Sequence, residues 1–517
     1  MSTEATTKKS LLDKIMDGFG KAANKLPSPL MLFIIFFVVT ALFSLLFSDT
    51  LLGVTAINPS TGATVAVNNL FSKAGVVWFL TRMITNFTGY APLGLVLVMN
   101  FGIGLCEEVG LVKTVLKKFM GGMPPMLLTI AISWVGCMGN LASDAASVII
   151  PPMAGMLFLG AGKNPIVGFM CGRAAGGMGF HSQMLIAGTD ALHQGITNSA
   201  IPIASNNPDL LVAVTCNFYF MFASCIINTI GCALVTETVV SKTFGEYKGS
   251  AKLEDEPITA LQNKALGKTG LAVLVYLAVI GAGLVSGFLL TDDRKFNDSP
   301  FLNGIIPLLF VFFLVAGLVY GFSSGFMTNE KDITKVLAKK TGSFNSYIVQ
   351  VFAIAQFTAL FTWSNIGTIM SIAGADMLVA TGFTGLPLVL SYMVVTAVVG
   401  LLVSSNSAQY SIMAPIFVPM LMLLGYHPAF TQVIQRAGRS WLGLISPNSV
   451  YVFMILAMIN ETYDPDFTLG DILSQGSIPY TFAAIFIWFG QVIVWYLLKL
   501  PLGPGAPVMI GDMPLMI

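Results

Sequence analysis

Arg436 and Arg439 stand one helical turn apart in VIQRAGRSWLG (433–443), inside a region otherwise apolar enough to enter a bilayer. A charge at the bilayer centre costs about 2.5–3.5 kcal/mol on insertion scales, so such residues are kept for a task. A guanidinium presents a planar fork of donors that matches a carboxylate, and the chemistry on offer is anion recognition. Arg173 offers the same in a second apolar stretch. Asp144, in GNLASDAAS (139–147), could bind sodium, carry a proton, pair with an arginine or cap a half-helix. Asn140, Ser143, Asn365, Ser405, Asn406 and Ser407 supply neutral polar atoms suited to sodium, to a substrate, or to helix capping alone. Tyr410 could stack on an aromatic ring or face lipid. Three arginines against Asp144 and Asp190 favour an anionic ligand with more than one carboxylate. The competing reading of the arginines is a buried ion pair with either acid that merely holds helices.

Other chemistries find no support. The six cysteines form no CxxC pair, and His181, His193 and His427 lack metal-ligand spacing. No HExxH or GxSxG motif is present, so the chain does not read as an enzyme. No cofactor is expected, and no metal beyond a sodium ion, with protons as the other coupling ion. The net charge of +1 argues against a nucleic-acid partner.

Composition places these residues in a membrane. Of 517 residues, 55% are hydrophobic and only 10% charged, and the mean hydropathy is +0.81. The chain is expected to be an all-α polytopic membrane protein with lipid as its surroundings. Residues 1–27 form a basic tail without a signal peptide, expected in the cytoplasm. Lys and Arg in the loops then set the course of the spans. The loop 49–86 falls outside, KTVLKK (113–118) inside, 241–268 inside, TDDRKFNDS (291–299) outside and NEKDITKVLAKK (329–340) inside. These signs require two apolar segments, about 124–160 and 385–425, to enter and leave on one side. Both are broken centrally by polar residues, as re-entrant hairpins are. About nine transmembrane helices and two hairpins result, with the C-terminus outside. Glu107 and Glu108, at the inner end of a span, read as solvated.

The hairpins belong to an internal repeat. A shift of 263 residues (428 − 165 = 263) pairs Pro124 with Pro387, Pro152 with Pro415, Gly162 with Gly425, Pro165 with Pro428 and Arg173 with Arg436. The first repeat covers 28–240, the connecting loop 241–268, and the second repeat 269–517. Loop charges orient the copies oppositely, giving an inverted-topology repeat. In secondary transporters of this design, broken elements of the two halves meet near the midplane and form the substrate site. Arg173 and Arg436 are then expected to face one central cavity.

The chain resembles the p-aminobenzoyl-glutamate transporter (AbgT) family over nearly its full length. The resemblance is carried by NKLPSPLMLF (24–33), NFTGYAPLGLVLV (86–98), SDAASVIIPPMAGMLFLGAGKNPIVG (143–168), GTDALHQGIT (188–197), WSNIG (363–367), SAQYSIMAPIFVPMLMLLGYHPAFTQ (407–432) and LPLGPG (500–505). More distantly, SNS (405–407) is similar to the hairpin tip with which sodium-coupled dicarboxylate carriers grip a carboxylate. The family resemblance implies an inner-membrane homodimer that takes up p-aminobenzoyl-glutamate, or exports sulfonamide drugs that mimic its aminobenzoyl part. It also implies coupling to sodium or protons. An anion channel is the alternative of another class. Asp144, Pro428 and Arg436 fall on functional positions of the family. Tyr410 stands where the family has tryptophan, Arg439 where it has aspartate, and Gly400 where it has asparagine.

Overall fold

The computed structural model describes residues 27, 29–57, 62–120, 124–139, 145–249, 258–292, 299–342, 345–403, 406–445 and 450–512. Helix dominates because hydrocarbon offers no partner to an unpaired backbone group, and a helix satisfies its own. α1 (Pro29–Phe47) leads into a small antiparallel hairpin, β1 (Thr55–Ile57) and β2 (Thr64–Ala66). α2 (Lys73–Thr88), α3 (Ala91–Glu108) and α4 (Leu111–Met120) follow. α5 (Pro125–Met138) and α6 (Ala145–Gly160) are the arms of the first re-entrant hairpin. α7 (Pro165–Met178), α8 (Gly188–Ala200) and α9 (Phe218–Val235) complete the first half. α10 (Ala260–Ser286) connects to α11 (Ile305–Ser323), α12 (Glu330–Gly342), α13 (Asn345–Trp363) and α14 (Ile366–Ala380). α15 (Gly385–Leu402) and α16 (Asn406–Leu423) are the arms of the second hairpin, before α17 (Pro428–Leu442), α18 (Val450–Thr462) and α19 (Ile478–Leu498).

Five segments are long and apolar enough to cross a membrane alone: Leu30–Phe47, Phe218–Phe244, Ala260–Ser286, Ile305–Ser323 and Ile472–Leu498. Shorter helices work in series. Among the described residues, Ile348–Trp363 and Ile366–Ala380 follow one another in series, and Leu127–Met138, Ile150–Gly160 and Gly385–Leu401 belong to the two hairpins. The protein is a multi-pass, all-α membrane protein. Three local expectations are revised. The stretch 241–268 is not all loop, because the helix after α9 runs on to Phe244 and α10 begins at Ala260, where Thr259 and Gln262 cap each other. The stretch 49–86 contains the β-hairpin and most of α2, which turns Val76, Val77, Leu80 and Ile84 outward. Glu107 and Glu108 are not simply solvated. They pair with Lys340 (3.1 Å) and Lys339 of α12, and so tie down the end of α3. Outside the spans, Asp332 in the first turn of α12 accepts from Thr328 N and Oγ1, which hold its carboxyl at about 2.

The repeat is written in matching local geometry. Adding 263 to α7 gives 428–441, and α17 is Pro428–Leu442. Adding it to α8 gives 451–463, and α18 is Val450–Thr462. Each hairpin ends in the same Schellman turn. Lys163 N donates to Phe158 O (2.8 Å), and Tyr426 N donates to Leu421 O (3.0 Å), 263 residues on. The turn needs a left-handed residue, and Gly162 and Gly425 supply φ of 73° and 89°. Each following helix then starts with proline behind a capping side chain. Asn164 accepts from Ile166 N (3.0 Å), and His427 Nδ1 accepts from Ala429 N (3.2 Å). The halves also exchange contacts: α8 of the first packs on α16 of the second, and α18 of the second packs on α6 of the first.

Small residues allow the closest approaches, as membrane helices require. A Cβ on Gly168 of α7 would lie 2.5 Å from the carbonyl oxygen of Ala154 and 2.9 Å from Phe158 Cγ. The backbone of α6 cannot yield as a flexible side chain would. Gly168→Val is therefore expected to separate α6 from α7 and cost about 1–3 kcal/mol. A thermal-melt comparison of the detergent-solubilised proteins checks this, and an unchanged Tm contradicts it.

Candidate anion-binding site

α17 (PAFTQVIQRAGRSWL) is a polar helix in a dry place. Pro428 through Gly438, Ser440 and Trp441 are all buried, yet Thr431, Gln432, Gln435, Arg436, Arg439 and Ser440 form a stripe at helical spacing. Such a stripe must be answered by protein or by ligand, since no water reaches it. Three elements answer it. α8 presents Asp190, His193 and Thr197, spaced to share one face, from the other repeat. The segment joining α7 to α8 brings His181 and Gln183, and α16 brings Asn406, Gln409 and Tyr410.

Arg436 has no exposed surface, and its Nη2 lies 2.6 Å from Asp190 Oδ1. Asp190 is itself held. Its Oδ2 accepts from Ala187 N (2.8 Å) and from Gln183 Nε2. A second cluster lies beside this pair. Thr197 Oγ1 donates to Gln432 Oε1 (3.0 Å) and has only one proton, so Tyr410 OH donates to it (2.6 Å). The Tyr410 ring stacks on His193 at 4.9 Å, and His181 meets the other imidazole edge-on at 5.2 Å. His193 Nδ1 donates to Thr189 O (2.7 Å), which leaves Nε2 as an acceptor. Asn406 Nδ2 donates to that nitrogen (3.4 Å), Gln435 Oε1 faces it at 3.3 Å as a second acceptor, and Gln435 Nε2 donates to Asn406 Oδ1 (3.5 Å).

What remains unanswered is mostly donors. Arg436 Nε and Nη1, Gln432 Nε2 and Trp441 Nε1 are buried without a hydrogen-bond partner among the described residues. Both ring nitrogens of His181 and Thr431 Oγ1 share that state. An unmade buried hydrogen bond costs about 1–3 kcal/mol, so a set of this kind fits an anion that would complete it.

The structure unites some expected site residues and separates others. Arg436, Asn406 and Tyr410 meet in the cluster. Pro428 starts α17 and sets its path without a polar contact of its own. Arg173 is not brought to the cavity of its symmetry mate. Its Nη1 donates to Ser477 Oγ (2.5 Å) and its Nη2 to Leu444 O (2.6 Å), so it stitches α7 to the helix ends around α19. Arg439 Nη1 donates to Gly400 O of α15. Asn365 adopts a left-handed φ of 61° where α13 breaks into α14, and its amide donates to Ala66 O (2.9 Å) of β2. That bond braces the β-hairpin against the start of α14. Ser407 lies in the first turn of α16 beside Asn406. Asn140, Ser143, Asp144 and Ser405 lie outside the described residues. Sequence reasoning gave Asp190 only a pairing role, and missed His193, Thr197, Gln432 and Gln435. Their signal was the polar spacing within GTDALHQGIT and TQVIQRAGR.

Removal of one ion-pair member leaves a buried charge unpaired, at about 3–5 kcal/mol. Asp190→Ala is expected to lower Tm sharply, and Asp190→Ala/Arg436→Met to recover most of the loss. Additive losses in the double variant contradict the pairing.

Comparison with known proteins agrees with this architecture. The family model "AbgT putative transporter family" matches residues 14–510. The p-aminobenzoyl-glutamate transport protein of Escherichia coli (strain K12) is 34% identical over 508 residues, covering 98% of this chain and 99% of its own. The Alcanivorax borkumensis YdaH transporter, whose crystal structure is described as having an unusual topology, superposes with a TM-score of 0.87 at 31% identity, over 92% of this chain and 100% of that one. Neisseria gonorrhoeae MtrF, described as illuminating a class of antimetabolite efflux pumps, gives 0.88 at 30% identity, over 95% and 100%. The chain belongs to the AbgT family of transporters.

Proposed function

We propose that this protein is a cation-coupled secondary active transporter of p-aminobenzoyl-glutamate or a related aromatic dicarboxylate. It would work by alternating access in the inner membrane, with a cytoplasmic N-terminus and as a homodimer. The observation that carries the reading is the set of orphaned donors around Arg436. A substrate carboxylate at Arg436 Nη1, with Gln432 Nε2 nearby, would satisfy donors that the protein leaves open. The Asp190 pair cancels the charge of Arg436, so recognition rests on hydrogen bonding more than on net positive potential.

The bond lengths support a moving part. The bond that fixes the floor, between Arg436 and Asp190 outside the hairpin, is 2.6 Å long. The bonds from Asn406, at the start of the second hairpin's returning arm, are 3.4–3.5 Å. Bonds that long are weak and exchange easily. Displacement of the second hairpin from α8 and α17 would break the Asn406 contacts and the Tyr410–Thr197 bond, keep the Arg436–Asp190 pair and expose the donors.

A second reading is outward export of sulfonamide-type antimetabolites, favoured by the likeness to MtrF. Expression in a sensitive host is expected to raise the inhibitory concentration of a sulfonamide if export is the task. Uptake is tested in proteoliposomes with labelled p-aminobenzoyl-glutamate under imposed sodium or proton gradients. Uphill accumulation is the expected result, and gradient-independent equilibration points to a channel. Arg436→Gln removes charge-assisted hydrogen bonds worth about 1.5–3 kcal/mol. Sub-saturating uptake is expected to fall by about 10–100-fold. Wild-type uptake by the folded variant contradicts the assignment.

A further inference from the structure

The end of α15 receives a second cation, the half-buried Arg439 of α17, whose place does not follow from anion binding. α15 is the first arm of the second hairpin and terminates at Leu402, so the carbonyls of its last turn lack helical partners. Val399 O is taken by Val403 N (2.8 Å), while Gly400 O accepts from Arg439 Nη1. The guanidinium fits because position 400 has no side chain. A Cβ there would lie 3.1 Å from Arg439 Cδ, with Nη1 closer still. A further oxygen faces the same spot. Gln409 fixes its Nε2 on Thr396 O (2.6 Å) and leaves Oε1 3.3 Å from that Cβ position, with no hydrogen-bond partner among the described residues. A helix C-terminus bears about half a negative charge. The spot therefore joins a half-helix C-terminus, a backbone carbonyl and a buried amide oxygen, which is how broken-helix carriers hold a mobile cation near the midplane.

We propose that Arg439 is a tethered cation that occupies this position, so that no sodium ion binds at the end of α15. Gly400 is the residue that makes room for it. The fixed charge neutralises the half-helix end in every state of the cycle. Any coupling cation must therefore act elsewhere. This inference does not depend on which anion is carried.

The test is a sodium titration of thermal stability on the full-length protein in detergent, with choline replacing sodium at constant ionic strength. Arg439→Gln shortens the side chain, removes the charge and leaves Gly400 O and Gln409 Oε1 free. It is expected to acquire a saturable, sodium-specific rise in Tm of about 1–3 °C beyond any seen in the wild type. Arg439→Lys keeps a tethered cation and is expected to titrate like the wild type. A merely structural arginine would change the starting Tm of either variant but not its sodium dependence. Should Arg439→Gln not fold, Arg439→Thr gives the same readout. A variant lacking the charge that titrates like the wild type overturns the proposal, as does a sodium response of equal size in Arg439→Lys.

Discussion

A guanidinium with no exposed surface must have its charge answered from inside the protein. At Arg436 the answer is the Asp190 carboxylate, 2.6 Å away and borne by the opposite repeat. This one pair fixes much of the rest. It requires α8 to cross to the second half, where it packs on α16, and it requires Asp190 to be steadied by Ala187 N and Gln183. It also explains the composition of α17, whose polar stripe would be unaffordable without partners on facing helices. One carboxylate cannot satisfy five N–H donors, and the donors left over are the opening for a substrate.

The fold repeats, but its chemistry does not. The positions 263 residues before Thr431, Gln432, Gln435 and Arg439 are Gly168, Phe169, Gly172 and Gly176, and only Arg173 preserves the polar stripe. Likewise Asp190 and His193 correspond to Phe453 and Leu456. The first copy has become a closely packed helix pair, with Gly168 and Gly172 against Ala154 and Pro151. The second has become the polar site. Arg173 keeps its charge among the Ser477 hydroxyl and the Leu444 carbonyl, as a brace between helix ends. An inverted repeat can thus divide labour, with one hairpin set in tight packing and the other holding the weaker, exchangeable contacts of Asn406.

Much of this was legible in the residues. Loop charges and apolar runs gave the spans, and the paired glycines and prolines at 162, 165, 425 and 428 marked turns that the structure repeats. Arg436 was legible because charge in an apolar helix is anomalous. The partner set was not, because hydrogen-bond pairing between helices 235 residues apart, as in Thr197 with Gln432, depends on packing that periodicity does not encode. Arg173 misled for a related reason. Symmetry of sequence position carries over to the backbone, whereas a side chain bonds whatever lies within reach.

The central claim is that the open donors of Arg436 receive the substrate carboxylate. A structure of the full-length protein determined with p-aminobenzoyl-glutamate bound tests it most directly. The account predicts ligand density within hydrogen-bond distance of Arg436 Nη1, with Nη2 still paired to Asp190. Ligand density elsewhere, with the Arg436 donors closed by protein, would contradict it.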